Sequence, residues 1–480
     1  MKLVGVVENV EIDEKGNITI AYVGDRKIKL EGQLYFLKGA KLYYDEKDDR
    51  YFYEKNKDEI EYKIKVEDLK KREILGSIVG KTETTRFQFH IKPKKESNVY
   101  ELTFIITEHG KSVYLGQITK ITREKNKNIA QVRIVGEIPK TPFYEGSNIY
   151  RANENDVKHL LKMSRDELYI GHIYGTDIKV YASHNNLMKH SLFVCGQKGS
   201  GKSYFVGVLL EELIKKGMPI VVIDPHGEYV FTEPNNNQDE KQLFSVFEVS
   251  PRNYSSSYIQ FSFDKKINPL SNAEITIKHL RNDKFYKNFV VKEGQISVFN
   301  LRGVERKDQI NVVSTLVDRL FELRKIREIP PFFLVIEEAH EMCPQKHGSH
   351  PSGDVIKNFS SEGRKFGAGL IVITQRPARI SKDVITPMQN FAVMKVGWKN
   401  DKDVIQQSVM DADLYMDIID RLPVGVSYIA GMTTVPLLVK IRVRETRHFG
   451  DAIQIDSYLF KNKEKIKIEN IQKQIDKLII

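Results

Sequence analysis

Short apolar runs separated by polar turns fill the first third of the chain. Turn sequences such as Glu14-Lys15-Gly16-Asn17 and His109-Gly110 divide segments that are rich in Val, Ile and Tyr. Many short strands joined by polar turns are typical of a small closed β-barrel. We therefore predict an all-β barrel domain over residues 1–145. Its predicted strands are Val4–Ile12, Ile18–Val23, Ile28–Leu30, Gln33–Phe36, Tyr100–Ile106, Ser112–Ile121 and Ala130–Gly136, with Ile74–Val79 and Glu83–Ile91 as further candidates.

The pattern changes twice after the barrel. Residues 146–188 are predicted to be a connector that ends in a hairpin over Ile170–Ala182. From Lys189 onward, apolar runs alternate with amphipathic helical runs, which indicates parallel βαβ units. We predict an α/β core over residues 189–450, with a helical insertion at about 235–292 and a helical extension at 451–480.

A glycine-rich sequence stands between the apolar run Leu192–Cys195 and the amphipathic run Tyr204–Ile214. The order strand, glycine-rich loop and helix is the context of a phosphate-binding loop, in which backbone N–H groups and the helix N-terminus face phosphate oxygens. We expect Lys202 to bind the β- and γ-phosphates and Ser203 to ligate Mg²⁺. The alternative is an ordinary turn with a surface lysine. The predicted nucleotide-binding residues are Gly196, Gln197, Lys198, Gly199, Ser200, Gly201, Lys202, Ser203 and Tyr204, and the core is predicted to be a RecA-like P-loop NTPase.

An acidic pair, Glu337 and Glu338, follows the apolar run Phe332–Ile336. In P-loop enzymes such a pair holds the Mg²⁺ shell with its first carboxylate and orients the attacking water with its second. We assign Glu337 to the metal and Glu338 to general base or water-orienting chemistry. His340 is interpreted as a structural hydrogen-bonding residue because no other His or Cys completes a metal set.

Asp224 and Glu228 follow the apolar strand Met218–Ile223. Ligands of open α/β sheets bind at the carboxyl ends of strands, so both carboxylates are expected near the phosphate site. Glu228 is a candidate for orienting water or for binding a partner subunit. The alternative is a turn that Asp224 and Gly227 stabilise.

Three further polar side chains are candidates for the phosphate site. Gln375 follows the apolar strand Leu370–Thr374 and is predicted to sense the γ-phosphate. Arg364 and Arg376 are candidates for stabilising the transferring phosphoryl group, although surface ion pairs are an alternative for both. Arg442, near the end of the strand Val435–Val443, is a further candidate.

Composition narrows the class of partner. The net charge of +11 suits a polyanion such as nucleic acid, while a lysine-rich solvated surface is the alternative. The two cysteines form no C-x-x-C pair, so no zinc knuckle or disulfide framework is predicted. No apolar run is long enough to span a bilayer, and Met1–Glu14 has no long apolar core. We therefore expect a cytoplasmic protein without a membrane partner.

Four motifs together resemble the HerA branch of the HerA–FtsK superfamily of DNA-translocating ATPases. The resemblance covers about Leu192 to His448, and the N-terminal third resembles the small barrel of that family in pattern and order. The motifs are Gly196–Ser203, Ile223-Asp224-Pro225-His226-Gly227-Glu228-Tyr229, Ile336-Glu337-Glu338-Ala339-His340, and Gly363-Arg364-Lys365-Phe366-Gly367 followed by Thr374-Gln375-Arg376-Pro377.

This resemblance implies a homohexameric ring that hydrolyses ATP with Mg²⁺ at sites between subunits. It implies Arg364 as an arginine finger acting on a neighbour's ATP, with Gln375 as the sensor and Lys202 and Glu338 as catalytic residues. It further implies translocation along double-stranded DNA with a NurA-type nuclease and other break-repair proteins, in the resection of DNA ends. Weak candidates for the DNA channel are Lys265, Lys266, Lys346, His347 and His350.

Two other functions remain compatible with the sequence. A conjugation or packaging motor uses the same core. A nucleotide-dependent assembly protein would bind DNA without moving along it. ATPase activity stimulated by duplex DNA, together with displacement of a bound strand, separates a motor from an assembly protein.

Overall fold

The computed structural model describes residues 66–450 apart from 70, 125, 162–166, 265, 270, 346–349 and 410–414, together with six strands between residues 2 and 54. The chain divides into two compact units. The first comprises Met1–Val132 and Pro139–His159, and the second comprises Arg133–Ile138 and Leu160–Ile480. The predicted strand Gln33–Phe36 and the predicted extension at 451–480 lie outside the described residues.

A closed antiparallel barrel of six strands belongs to the first unit, except that the last three residues of one strand, Arg133–Val135, are counted in the second. Buried side chains alternate with more exposed ones along the barrel strands. In Arg86–Ile91, for example, Phe87, Phe89 and Ile91 are buried. Closure pairs both edges of the sheet, and alternating side chains fill the interior. The barrel strands, in the order in which they pair, are β10 (Ser112–Glu124), β11 (Lys127–Val135), β8 (Arg86–Ile91), β7 (Ile74–Val79), β12 (Asn148–Arg151) and β9 (Phe104–His109).

The predicted barrel is therefore present, and its strands lie between Ile74 and Arg151. Asn148–Arg151, which we predicted to lie in the connector, is the barrel strand between β7 and β9. Its four residues are too few for a clear alternating signal. The strands nearer the N-terminus form two separate three-stranded sheets: β1 (Lys2–Val6) with β5 (Lys41–Asp45) and β6 (Arg50–Glu54), and β2 (Asn9–Ile12) with β3 (Ile18–Val23) and β4 (Arg26–Lys29).

A twelve-stranded mixed sheet forms the centre of the second unit. Eight neighbouring strands are parallel, and six of them are buried along their whole length, as strands covered by helices on both faces should be. In spatial order the strands are β14 (Lys179–Ala182), β13 (Leu168–Ile173), β24 (Leu437–Ile441), β23 (Val426–Ala430), β22 (Asn390–Val393), β15 (Leu192–Cys195), β21 (Ala368–Thr374), β20 (Phe332–Ile336), β16 (Ile220–Asp224), β19 (Ile296–Asn300), β17 (Tyr258–Ser262) and β18 (Ala273–Glu274).

Helices cover this sheet. The longest described helix, α8 (Arg306–Lys325), buries a stripe that includes Val313, Leu316, Val317 and Leu320, the spacing of one face of an α-helix. Within the described residues, every helix is too short or too polar to traverse a bilayer. The helices are α1 (Val66–Leu69), α2 (Glu154–Leu160), α3 (His184–His190), α4 (Lys202–Lys215), α5 (Lys241–Phe247), α6 (Ile277–Leu280), α7 (Asp283–Phe285), α8 (Arg306–Lys325), α9 (Ala339–Met342), α10 (Pro351–Glu362), α11 (Lys382–Ile385), α12 (Lys399–Ser408) and α13 (Met416–Ile419).

The predicted helical insertion at 235–292 is only partly helical. Tyr258–Ser262 is a strand that pairs in parallel with β19 and so belongs to the core sheet. Its polar residues obscured the apolar signal, because Gln260 and Ser262 are buried. The hydroxyl of Ser262 lies 2.7 Å from that of Ser271, so the buried hydroxyl of Ser262 has a hydrogen-bond partner inside the protein.

Candidate nucleotide site

The phosphate loop lies between β15 and α4, at the carboxyl edge of the parallel strands. Gly199 and Gly201 have φ angles of 75° and 102°, a region that side chains with a Cβ seldom adopt. A Cβ at Gly196 would lie 2.6 Å from Ser200 Oγ and 2.9 Å from Met394 Cβ. The three glycines are therefore required for this loop to close tightly at the start of α4.

Lys202 is folded over the phosphate loop. Its side chain is buried, and its Nζ donates a hydrogen bond to the carbonyl oxygen of Gln197 at 3.2 Å. Ser203, the next residue of α4, is half-buried. Because both side chains belong to the first turn of α4, they lie beside the free N–H groups at its N-terminus.

Glu337 is a buried carboxyl at the end of β20. Tyr229 Oη donates a 2.5 Å hydrogen bond to its Oε2. Burial raises the pKa of Glu337 to about 8. The hydrogen bond from Tyr229 opposes this rise, whereas the negative charge of nearby Glu338 increases it. A cation at this position would therefore relieve an unfavourable environment for the charged carboxylate.

Asp224 organises the turn that places Tyr229. Its carboxylate accepts backbone hydrogen bonds from His226, Gly227 and Tyr229 at 3.1, 2.8 and 2.9 Å. Asp224 is fully buried, and burial raises its pKa against the effect of these hydrogen bonds. The turn interpretation accounts for Asp224, whereas the half-buried Glu228 stays a candidate for orienting water or binding a partner subunit.

Glu338 has a strained backbone and two polar neighbours. Its φ and ψ are 47° and 44°, a left-handed conformation that non-glycine residues rarely adopt and that functional sites often hold. Gln375 Nε2 donates to its Oε1 at 2.9 Å, and His340 Nδ1 lies 3.2 Å from its Oε2. Burial alone would raise the pKa of Glu338, but His340 and the charge of Lys202 hold it below the ordinary value. Glu338 is thus a carboxylate at neutral pH and able to accept a proton.

The two arginines that flank β21 lie at opposite edges of the sheet. Arg376 is exposed and follows Gln375 at the carboxyl edge. Arg364 is exposed in the 3₁₀ turn Gly363–Phe366 before β21. Burial lowers the pKa of His190 at the end of α3, and the positive charge of Arg364 lowers it further. The seven residues of β21 separate these edges by about 20 Å. In a single chain Arg364 is therefore remote from the phosphate loop.

Arg442 cannot serve the phosphate site in this arrangement, which corrects its place among the candidates. Its guanidinium is fully buried and forms ion pairs with Glu211 and Glu212 of α4 at 3.1 and 2.9 Å. Glu445 lies 3.9 Å away. These contacts join the segment after β24 to the C-terminal half of α4, so Arg442 supports the helix rather than the nucleotide. This pairing was not predictable from the sequence, because its partners stand about 230 residues apart.

The remaining predicted residues fall into three groups. Tyr204 donates to the carboxylate of Glu240 at 3.1 Å and accepts from the backbone N–H of Arg444 at 2.9 Å, so its hydroxyl is held within the protein. His350 accepts from the N–H of Gly353 at the start of α10, and Lys266 is exposed. Lys265, Lys346 and His347 lie outside the described residues.

Tyr229 was not predicted as a site residue, and His340 was predicted only as a structural hydrogen-bonding residue. Both stand in motifs that were already recognised: Tyr229 directly follows Glu228, and His340 stands two residues after Glu338. Membership of these motifs could have identified both residues as candidates. Only the fold shows that Tyr229 contacts Glu337, which lies 108 positions away in the sequence.

The oxygen donors present suit magnesium. Mg²⁺ in nucleotide sites is commonly held by one or two protein oxygens and by phosphate oxygens. Glu337 and the hydroxyl of Ser203 are of this kind, and the raised pKa of Glu337 favours exchange of its proton for a cation. Within the described residues, no cluster of three His, Cys, Asp or Glu forms a metal site. When bound, the ion would neutralise phosphate charge, with Ser203 and Glu337 as its protein ligands.

We expect Glu337→Gln to increase thermal stability at alkaline pH in buffer without nucleotide or magnesium. The folded chain keeps a proton on Glu337 up to a pKa of about 8, whereas the ordinary value is 4.5. The stability that this proton contributes is complete at pH values below the ordinary pKa. It is lost as the pH rises through the pKa of the folded chain. Glutamine stays neutral and still accepts from Tyr229. Calorimetry should give nearly equal midpoints at about pH 5 and a variant midpoint about 2–4 °C higher at about pH 8.5. A difference that is independent of pH would contradict this expectation.

Comparison with known proteins agrees with the motifs. Residues 168–269 match the family model described as the central domain of helicase HerA. A protein of Methanocaldococcus jannaschii named probable DNA double-strand break repair helicase HerA is 23% identical, over 79% of this chain and 97% of its own length. The DNA double-strand break repair helicase HerA of Saccharolobus solfataricus is 23% identical, over 78% of this chain and 94% of its own length.

A solved structure, VirB4 of Thermoanaerobacter pseudethanolicus, matches with a TM-score of 0.37 and 12% identity, over 58% of this chain and 98% of that chain. The prediction that the chain is an ATP-hydrolysing P-loop enzyme is confirmed by the named relatives and by the family model. The resemblance of this chain to the HerA family, predicted from its motifs, is confirmed.

Proposed function

We propose that this chain is an ATP-driven translocase of double-stranded DNA that works as a homohexameric ring. One observation carries the proposal: Lys202, Glu337, Glu338 and Gln375 converge at the carboxyl edge of neighbouring parallel strands. These are the groups that clamp phosphate, hold magnesium, orient water and report on the γ-phosphate. The names of the relatives support DNA as the polymer on which the motor acts.

The position of Arg364 supports a ring. An arginine at the amino edge of the sheet is remote from its own phosphate loop, but a neighbouring subunit can present it to that loop. A site completed in this way hydrolyses ATP only when two subunits touch, which couples hydrolysis to movement of one subunit against the next. The bound DNA would be contacted mainly through phosphates, so affinity would be salt-dependent and largely independent of sequence.

The proposed biological role is resection of DNA ends together with a NurA-type nuclease and other break-repair proteins. This role rests on the break-repair names of the relatives. Mass photometry of the chain, with and without a nuclease of this class, duplex DNA and an ATP analogue, would measure the ring and its partner. A monomer under every condition would contradict the ring.

We expect duplex DNA to stimulate ATP hydrolysis by about tenfold or more, because DNA binding along the ring would align neighbouring subunits. The measurement is the ATPase rate with blunt duplex, single strands and no DNA, together with ATP-dependent displacement of a streptavidin roadblock from biotinylated duplex. Raised salt should remove the stimulation at concentrations that leave the basal rate unchanged. An ATPase rate that duplex DNA does not change would contradict the motor proposal. A rate that DNA stimulates without displacement of the roadblock would favour the assembly protein.

A further inference from the structure

Two chain segments border the phosphate loop on the side of β22. One follows β22, where the carbonyl of Lys395 accepts the N–H of Gln197 at 2.8 Å. The other precedes β23, where the N–H of Gly425 donates to the carbonyl of Ser200 at 3.3 Å. These backbone hydrogen bonds fix both segments against the loop that is proposed to hold phosphate.

Each segment carries an exposed apolar side chain next to this contact. Trp398 is 80% exposed, the highest exposure of any large apolar side chain among the described residues, and Val424 is 65% exposed. Gly397 places the backbone before Trp398 against the phosphate loop, because a Cβ there would lie 3.6 Å from Gln197 Oε1. An indole left in water forgoes the favourable burial that its area allows.

Trp398 also has a fixed position. It directly precedes α12, and Asp401 in the first turn of that helix accepts the backbone N–H of Ala378 at 2.9 Å. Ala378 belongs to the segment that follows Gln375 and Arg376 at the end of β21. The backbone at Trp398 is therefore tied to the segments that end two strands, β22 and β21, on either side of the phosphate loop, so only the side chain has to be ordered when a ligand binds.

We propose that Trp398 is the stacking platform for the base of the bound nucleoside triphosphate, with Val424 bordering the same position. The inference rests on the proposed nucleotide site and adds the residue that recognises its base. The phosphates enter the loop at Gly196–Ser203, and the base, which extends from them, meets the exposed indole at the rim of the same loop. Stacking reads only an aromatic face, so adenine and guanine are accepted about equally and inorganic triphosphate gains nothing.

The chain contains a single tryptophan, so its fluorescence reports on Trp398 alone. We expect ATP and GTP with magnesium to quench this emission on binding. Inorganic tripolyphosphate should compete with a labelled nucleotide but leave the emission nearly unchanged. Emission that is insensitive to saturating ATP, or equally sensitive to tripolyphosphate, overturns the proposal. Emission that changes with protein concentration and not with nucleotide also overturns it, because a second copy of the chain would then cover Trp398.

Variants measure the contribution of the indole. Trp398→Ala should weaken ATP and GTP binding by about tenfold and leave tripolyphosphate binding unchanged, whereas Trp398→Phe should retain most of the affinity. Tyr144→Ala, which removes an exposed aromatic ring from the barrel unit, is the matched control and should bind ATP normally. Unaltered ATP affinity in Trp398→Ala, or equal losses for ATP and tripolyphosphate, contradicts base stacking.

The same titration separates this proposal from the nucleotide site itself. Lys202→Ala should lose both ATP and tripolyphosphate binding, because it removes the phosphate clamp and not the base contact. If the unaltered chain binds tripolyphosphate tightly but shows no extra affinity for ATP, the nucleotide loop stands and the base platform is wrong. If it binds neither, both proposals fail.

Discussion

Replacing Lys202 with alanine is expected to reduce ATP hydrolysis by about 1,000-fold or more. The ammonium of Lys202 is buried in the phosphate loop and donates a hydrogen bond to the Gln197 carbonyl. ATP would replace that weak partner with phosphate oxygens, where the charge stabilises negative charge developing on the transferring group. Alanine supplies no positive charge and opens space in the loop. Steady-state ATPase assays with saturating magnesium measure the loss.

A matched control distinguishes loss of the clamp from loss of the fold. Lys307→Ala removes an exposed lysine from the first turn of α8, which follows β19, four strands away from β15 in the sheet, and should keep the full ATPase rate. Circular dichroism and thermal unfolding of Lys202→Ala should match the unaltered chain, since the side chain forms only one hydrogen bond within the loop. A Lys202→Ala protein that is folded and still turns over ATP rapidly would remove the phosphate-loop assignment.

The local parts of the site were predictable from sequence because they depend on neighbouring residues. The glycines at 199 and 201 reserve backbone conformations that other residues avoid, and apolar runs before the loop and before Glu337 identify buried strands. Parallel strands bring their carboxyl ends to one edge, so Lys202, Glu338 and Gln375 were expected to converge. The hydrogen bond from Gln375 to Glu338 bears out that convergence, while their catalytic roles stay predictions.

The parts that the sequence did not predict depend on contacts between distant residues. Arg442 looked like a cation near a strand end, but Glu211 and Glu212 of α4 bury and neutralise it. Tyr258–Ser262 looked like part of a helical insertion, because its buried polar side chains masked a strand of the sheet. Burial of a polar side chain depends on partners supplied by the fold, and a single sequence does not reveal those partners.

Arg364→Ala is expected to stop hydrolysis by a ring, with a loss of about 1,000-fold, while nucleotide binding stays nearly unchanged. Arg364 lies at the amino edge of the sheet, and Lys202, Glu338 and Gln375 lie at the carboxyl edge. Its removal therefore leaves the phosphate clamp of the same chain intact. Labelled-nucleotide binding and ATPase rates of the same preparation separate these two effects.

Mixed rings test whether Arg364 acts on the neighbouring subunit. Glu338→Gln subunits keep Arg364 but lack the carboxylate that is proposed to orient water, and Arg364→Ala subunits have the opposite defect. In random rings of equal parts, about a quarter of the interfaces combine an intact Glu338 with a neighbour's intact Arg364, so activity should recover toward that fraction. The comparison is the same mixing with Arg376→Ala, whose arginine lies at the carboxyl edge of its own chain and should give no rescue if it acts there. If preparations shown to contain both variants gain no activity at any ratio, Arg364 does not serve a neighbour's nucleotide, and the inactivity of the single variant must come from within its own chain.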